Sequence, residues 1–173
     1  LYPHKNIEVV LQALLALPNY SLKIVCSRNV FVERTRLRVR HLNLQKQVEF
    51  MGYLSDKKLI ETLQNSLALV QPSKSEGFGL TAIEAMAVGT PVLASSLRVF
   101  KEIYQQAPLY FNLDNPNQLA SLIKKLSDLS IYKKHQITGI QLASNYRWSK
   151  TAKLTHQAYQ SALNQKPTLK LTQ

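Results

Sequence analysis

Two carboxylates, Glu76 and Glu84, flank Gly77-Phe78-Gly79-Leu80-Thr81 with seven residues between them. The apolar run Ala68-Leu69-Val70 precedes this stretch and is stopped by Pro72 and Ser73. Leu80–Ala87 follows as a short helix, with Gly89 placed to end it. Strand, glycine loop and helix in that order suit a phosphorylated ligand. The first turn of a helix offers free backbone N–H groups and the positive end of the dipole, which attract an anion. Gly77 and Gly79 carry no Cβ, so the backbone can approach a ligand closely. Acids beside a phosphate repel it, so the two glutamates must face something else. Ionised carboxylates only accept hydrogen bonds, which makes hydroxyl groups their fitting partners. A ligand with phosphates in the middle and hydroxyl-rich rings at both ends is a nucleotide sugar.

The elements that must hold this loop alternate along the chain. Helices are expected over 6–17, 32–42, 57–65, 80–87 and 99–106, with strands over 22–26, 48–51, 68–71, 92–95 and 109–111. The first strand should be buried and parallel. Gly52 closes the second, Ser55 or Asp56 caps the helix after it, and Ser27-Arg28-Asn29 is a loop at the C-terminal end of the first. Three further helices follow: one from Asn115-Pro116 to about 129, one after Ser130 to about 146, and one capped by Ser149 to about 163. Strands alternating with helices, without hairpin signals, define an α/β class with one doubly wound parallel, Rossmann-like sheet. Residues 1–163 form one domain in this reading, and 164–173 a disordered tail. An α/β unit should begin with a strand, yet only Leu1 and Tyr2 precede Pro3. A strand, and a whole domain before it, are therefore expected upstream.

Composition narrows the alternatives. At 173 residues and 45% hydrophobic content the chain can bury a substantial core. The single Cys26 reads as a reduced, buried thiol, which points to the cytoplasm. No apolar stretch is long enough to span a bilayer, so work at a membrane would be peripheral. Lys plus Arg number 22 against 10 acids, a net charge of +12. The basic residues are spread out, with dense runs at 34–41 and 124–125, and no basic-aromatic interleaving marks a nucleic-acid partner. A solvated face accounts for most of the charge, and contact with acidic lipid is the leading use of the rest. His41, His135 and His156 have no partner at metal-ligand spacing, and no Gly-x-Ser-x-Gly elbow supports a serine hydrolase.

The run Glu76-Gly77-Phe78-Gly79-Leu80…Glu84-Ala85-Met86-Ala87…Gly89-Thr90-Pro91-Val92 resembles the signature of family-4 retaining glycosyltransferases of the GT-B fold. His4-Lys5-Asn6, Val48-Glu49-Phe50-Met51-Gly52, Lys101-Glu102-Ile103 and Arg147-Trp148-Ser149 match further landmarks of that family in its order. The resemblance implies the C-terminal, donor-binding half of a two-domain enzyme that transfers a hexose from a UDP- or GDP-sugar to a hydroxyl acceptor. By it, Glu84 accepts hydrogen bonds from the ribose and Glu76 lies beside the donor sugar. Gly77, Phe78 and Gly79 contact that sugar through backbone amides. Leu80 and Thr81 bind the diphosphate, Lys5 neutralises it as it leaves, and Gly52, Tyr53 and Leu54 border the base. No metal and no cofactor beyond the donor is implied. The acceptor, a glycan or lipid-linked sugar, would bind through the missing N-terminal domain in cell-envelope or polysaccharide synthesis. The isolated chain would then be inactive.

Plain structural roles stand beside these. Phe78 could be core packing, Thr81 only a helix start, Tyr53 a packing residue and Trp148 a hydrophobic anchor. Two other functions remain open: a non-catalytic nucleotide-binding module, and a nucleotide-sugar epimerase of similar architecture.

Overall fold

The computed structural model describes residues 2–26 and 30–164. The expectations for Ser27-Arg28-Asn29 and for most of the tail lie outside those residues. A 3₁₀ turn (Pro3–Lys5) leads into α1 (Ile7–Leu14), and then come β1 (Leu22–Val25), α2 (Val30–His41), β2 (Val48–Gly52), α3 (Asp56–Gln64) and β3 (Leu69–Gln71). They are followed by α4 (Leu80–Ala87), β4 (Val92–Ser95), α5 (Arg98–Tyr104), β5 (Leu109–Phe111), α6 (Pro116–Lys125), α7 (Leu129–Ala143) and α8 (Trp148–Asn164). All strand pairings are parallel, as the alternation of elements requires.

Helices cover the strands from both sides. On one side Val10, Leu11 and Leu14 of α1 pack with Val39 of α2, Leu119 of α6, Leu93 and Phe111. On the other, Ile83 and Met86 of α4 pack with Phe100 and Tyr104 of α5, Leu142 of α7, Val92 and Ala94. Leu93 and Ala94 are consecutive yet belong to opposite layers, because successive strand side chains alternate between faces. β4 is buried at every position, the mark of a central parallel strand.

The expected sheet is present as a class but is not continuous. β1 pairs with β2, and β3 pairs with β4, which pairs with β5; these are two sheets. A groove of about 630 Å³ separates them, lined along its length by β1 and β3. Consequently β1 is not the fully buried strand that its apolar run suggests. Ile24 is 4% exposed, but Lys23 and Val25 on the opposite face are exposed. Cys26, at the end of β1, is a free thiol of intermediate exposure, not a buried one.

Caps explain the other departures. Asn115 accepts a hydrogen bond from Gln118 N and starts α6 with Pro116 in its first turn, as expected. The cap of α7 is Asp128, which accepts from Ser130 N and Ile131 N; Ser130 itself lies inside the helix. Ser149 likewise falls inside α8, not at its cap. Ser55 stands at the N-cap of α3 but makes no side-chain capping bond. For Ser130 and Ser149 a hydroxyl near a helix start looked suitable by residue type, and the backbone began its first turn before it.

Candidate functional site

Four segments far apart in sequence meet at the C-terminal ends of the strands, where open α/β sheets bind ligands. The peptide after β3 is fixed by His4, whose carbonyl accepts from Lys74 N at 2.7 Å. That contact carries Lys5 to Glu76, and its ammonium donates to Glu76 Oε1. Ser73 Oγ donates to the same oxygen at 2.9 Å. Ser73 is itself held, because Ser95 Oγ at the end of β4 donates to its carbonyl at 2.6 Å. The expected acid and the expected cation are thus brought together across 71 positions. Neither Ser73 nor Ser95 was foreseen in this supporting role, since only the three-dimensional adjacency of β3 and β4 creates it.

Burial pushes the Glu76 carboxyl toward a higher pKa, yet its net displacement is downward. The hydrogen bonds from Lys5 and Ser73, with the nearby charges of Lys5 and His4, outweigh the loss of water. As pH falls, the unfolded chain therefore takes up this proton before the folded one does. The stabilisation from Glu76 is complete above the ordinary carboxylate range and is lost as pH drops through the depressed value. Denaturant titrations between about pH 3 and pH 6 should show the acid-side decline flattened in Glu76→Gln. A residual slope should remain, because Arg38 beside Glu8 and the Ser130 hydroxyl on Asp128 also depress those carboxyls.

The glycine loop is held from below by Tyr104. This side chain is fully buried, and its hydroxyl lies 2.7 Å from the Gly79 carbonyl, 3.2 Å from that of Phe78 and 3.4 Å from Gln71 Oε1. A single hydroxyl proton is thus offered to three acceptors. Burial, and secondarily the Glu76 charge, drive the phenol well above its usual pKa, so it stays protonated as a donor. Its ring stacks on Phe100 at 4.9 Å. Gly79 sits at φ +85 as the N-cap of α4, and a Cβ there would overlap the Tyr104 hydroxyl and lie 2.8 Å from Gln71 Nε2. Gly77 has open space around it, so it can accept a close ligand. Tyr104 was not singled out in the sequence, because nothing in Lys101-Glu102-Ile103-Tyr104 marks a helix residue that reaches 25 positions back.

No side chain caps α4, and Leu80 and Thr81 occupy its exposed first turn. With no acidic residue in that turn, the helix end is open to an anion. Glu84 lies one turn in, exposed, and makes no side-chain bond among the described residues. Phe78 is not core packing: it is 37% exposed and meets Tyr146 edge-on at 5.6 Å. Gly52 ends β2 at φ +69, and its carbonyl accepts from Cys26 N at 3.1 Å. It borders a cavity of about 460 Å³ with Cys26, Phe50 and Arg36. Tyr53 is 83% exposed and Leu54 partly so, which leaves Tyr53 free to meet a planar ligand. Trp148 is 76% exposed, so it is not a buried hydrophobic anchor. Among the described residues no group of three or more His, Cys, Asp or Glu could hold a metal ion, and no helix is long and apolar enough to cross a membrane.

This parallel α/β fold, with a glycine loop, an uncapped helix end and a lysine beside it, is that of the GT-B glycosyltransferase architecture. A profile of the glycosyl transferases group 1 matches residues 1–141, and the chain belongs to that family. It is 36% identical over 129 residues to the O-antigen chain mannosyltransferase RfbU of Salmonella typhimurium, covering 74% of this chain and 36% of that protein. To the O-antigen chain mannosyltransferase B of Escherichia coli it is 28% identical over 163 residues, covering 91% and 43%. Among solved structures, the sucrose-phosphate synthase of Thermosynechococcus elongatus superposes with a TM-score of 0.85 at 28% identity, over 94% of this chain and 43% of that one. The C-terminal domain of a glycosyl transferase group 1 family protein (LpcC) from Francisella tularensis shares the fold, with a TM-score of 0.69 at 24% identity over 84% and 80%. The chain thus spans less than half the length of the curated relatives named here.

Proposed function

We propose that this chain is the donor-binding domain of a retaining, family-4 glycosyltransferase that transfers a hexose from a UDP- or GDP-sugar to a hydroxyl acceptor. The meeting of Lys5, Glu76 and the glycine loop at the open end of α4 carries this reading. In it the diphosphate lies across the first-turn amides of Leu80 and Thr81, and Lys5 neutralises the charge that develops as the sugar leaves. Glu84 accepts hydrogen bonds from the ribose hydroxyls. Glu76 grips the sugar hydroxyls, with the amides of Gly77, Phe78 and Gly79 beside it. Gly52, Tyr53 and Leu54 border the base. Positioning and charge stabilisation do the work, without a metal ion.

The names of the mannosyltransferase relatives favour mannose as the sugar and O-antigen-like polysaccharide as the product. The acceptor, a glycan or a lipid-linked sugar, then belongs to a further domain, and the protein works in the cytoplasm or at the inner face of an acidic membrane. The isolated chain should bind nucleotide without turning it over. Calorimetry with UDP, GDP, ADP and their sugar conjugates tests the site. Glu84→Ala should weaken the preferred nucleotide by about 10–100-fold, the value of a hydrogen bond to a charged group. Unchanged affinity would remove Glu84 from the site.

A further inference from the structure

Phe78 is the one side chain between the two glycines of the loop, and burial does not explain where its ring lies. It is 37% exposed, and the Tyr146 ring that meets it edge-on at 5.6 Å is 38% exposed. Neither ring belongs to a buried core cluster. The contact therefore removes little apolar area from water, although its interplanar angle of 82° is a favourable one for aromatic pairs.

Tyr146 is fixed at both ends. Its amide donates to the Ala143 carbonyl at 3.0 Å, at the C-terminal end of α7. Ala143 and Leu142 are buried in the core that α7 shares with Ile83 and Met86 of α4. Its hydroxyl donates to the Ile103 carbonyl of α5 at 2.9 Å. The next residue of α5 is Tyr104, whose hydroxyl lies under the Phe78 and Gly79 carbonyls. The Phe78–Gly79 peptide is thus clasped twice, its ring by Tyr146 and its carbonyls by Tyr104.

The clasp sets the direction of the loop amides. In a trans peptide the carbonyl and the following N–H point opposite ways. Carbonyls turned toward Tyr104 therefore aim the Gly79 and Leu80 amides away from it. Among the described residues the amides of Gly77, Phe78 and Gly79 make no hydrogen bond of their own. A Cβ on Gly77 would meet nothing, so no neighbour restrains the backbone there, and glycine has the most conformational freedom to lose. The Phe78 ring is the loop's one handle.

We propose that Tyr146 is a positioning residue for the donor, which clasps the Phe78 ring and so holds the glycine-loop amides oriented before ligand arrives. This rests on the donor-binding reading of the loop. Tyr146 acts through Phe78 and touches no ligand itself. A diphosphate then meets amides already in place and spends little of its binding on ordering them.

Nitrogen-15 relaxation of the whole chain without nucleotide gives the first test. Backbone order parameters at 77–79 should be about 0.8 in the parent and in Tyr146→Phe, which keeps the ring, and fall below about 0.6 in Tyr146→Leu. Phe78→Leu changes only an exposed loop side chain and should reproduce that fall, so a misfolded Tyr146→Leu leaves the test intact. Calorimetry with the preferred nucleoside diphosphate, UDP or GDP, and with its nucleoside gives the second. Tyr146→Leu should weaken the diphosphate by about two- to tenfold, the range of an aromatic edge contact, and leave the nucleoside unchanged. In the double variant with Phe78→Leu the losses should not add, since both remove one contact. Equal loop order in the parent and the leucine variants would overturn the proposal. Additive losses, or an equal loss for the nucleoside, would overturn it too, because they mark general destabilisation. A parent that binds no nucleotide would overturn the donor-binding reading, while the relaxation comparison would still decide the clasp.

Discussion

Gly79→Ala should melt well below the parent protein, by on the order of 10 °C, if left-handed backbone and overlap act together. Gly79 sits at φ +85, a region that costs an ordinary L-residue roughly 1–2 kcal/mol. The added methyl would also run into the Tyr104 hydroxyl and the Phe100 ring, both fully buried and unable to retreat into solvent. Overpacking of that kind costs about 1–3 kcal/mol more. The double variant Gly79→Ala/Tyr104→Phe separates the two costs. Removing the hydroxyl should recover part of the overlap but none of the backbone strain. Full recovery would mean that φ is not fixed at this position, and no loss at all would mean that the loop is free to move off Tyr104. Thermal or denaturant unfolding reads each outcome directly.

Lys5→Ala should lower affinity for a nucleoside diphosphate by about 10–100-fold while leaving the nucleoside unaffected, since the lost contact is a charged hydrogen bond. The neighbouring acid should act in the opposite sense. Lys5 is paired with Glu76, so a diphosphate must compete with that carboxylate for the ammonium. Glu76→Gln weakens the competitor, and diphosphate affinity should rise. Affinity for the sugar-bearing donor should gain less, because the carboxylate that accepts from the sugar is lost. Calorimetric titration of the nucleoside, the diphosphate and the nucleotide sugar against both variants gives a sign pattern that a purely structural ion pair would not produce. Equal losses for all three ligands in Lys5→Ala would assign Lys5 to loop stability and not to phosphate.

The pattern of elements was legible because each depends on short-range chemistry. α4 begins after a glycine that can take positive φ and ends before another, Gly89, so its bounds follow from the backbone preferences of two residues. β4 is a run of apolar residues between a proline and a serine, and it is buried throughout as such runs are in parallel sheets. The candidate site residues Glu76, Gly77 and Gly79 could be named for the same reason, as could Lys5 by family resemblance. What such readings could not reach was contact across distance. The Ser95–Ser73–Glu76 relay and the Tyr104 hydroxyl under the glycine loop join residues whose types are common and whose spacing carries no period. The half-exposed β1 escaped notice likewise, since an apolar run reports the wish to be buried and not whether an adjacent strand is there to bury it.

Local composition and backbone preference were thus enough for the α/β alternation, the start of α4 after the glycine loop and the positions of the two carboxylates around it. Pairing and support were settled only in three dimensions. These include the division of the strands into two sheets, the contact between Lys5 and Glu76, and the buried phenol beneath Gly79. The physical reason is range. Helix caps, turns and periodicity act over a few residues, whereas a buried hydrogen bond or an unpaired sheet edge depends on which distant segments the packed core brings side by side.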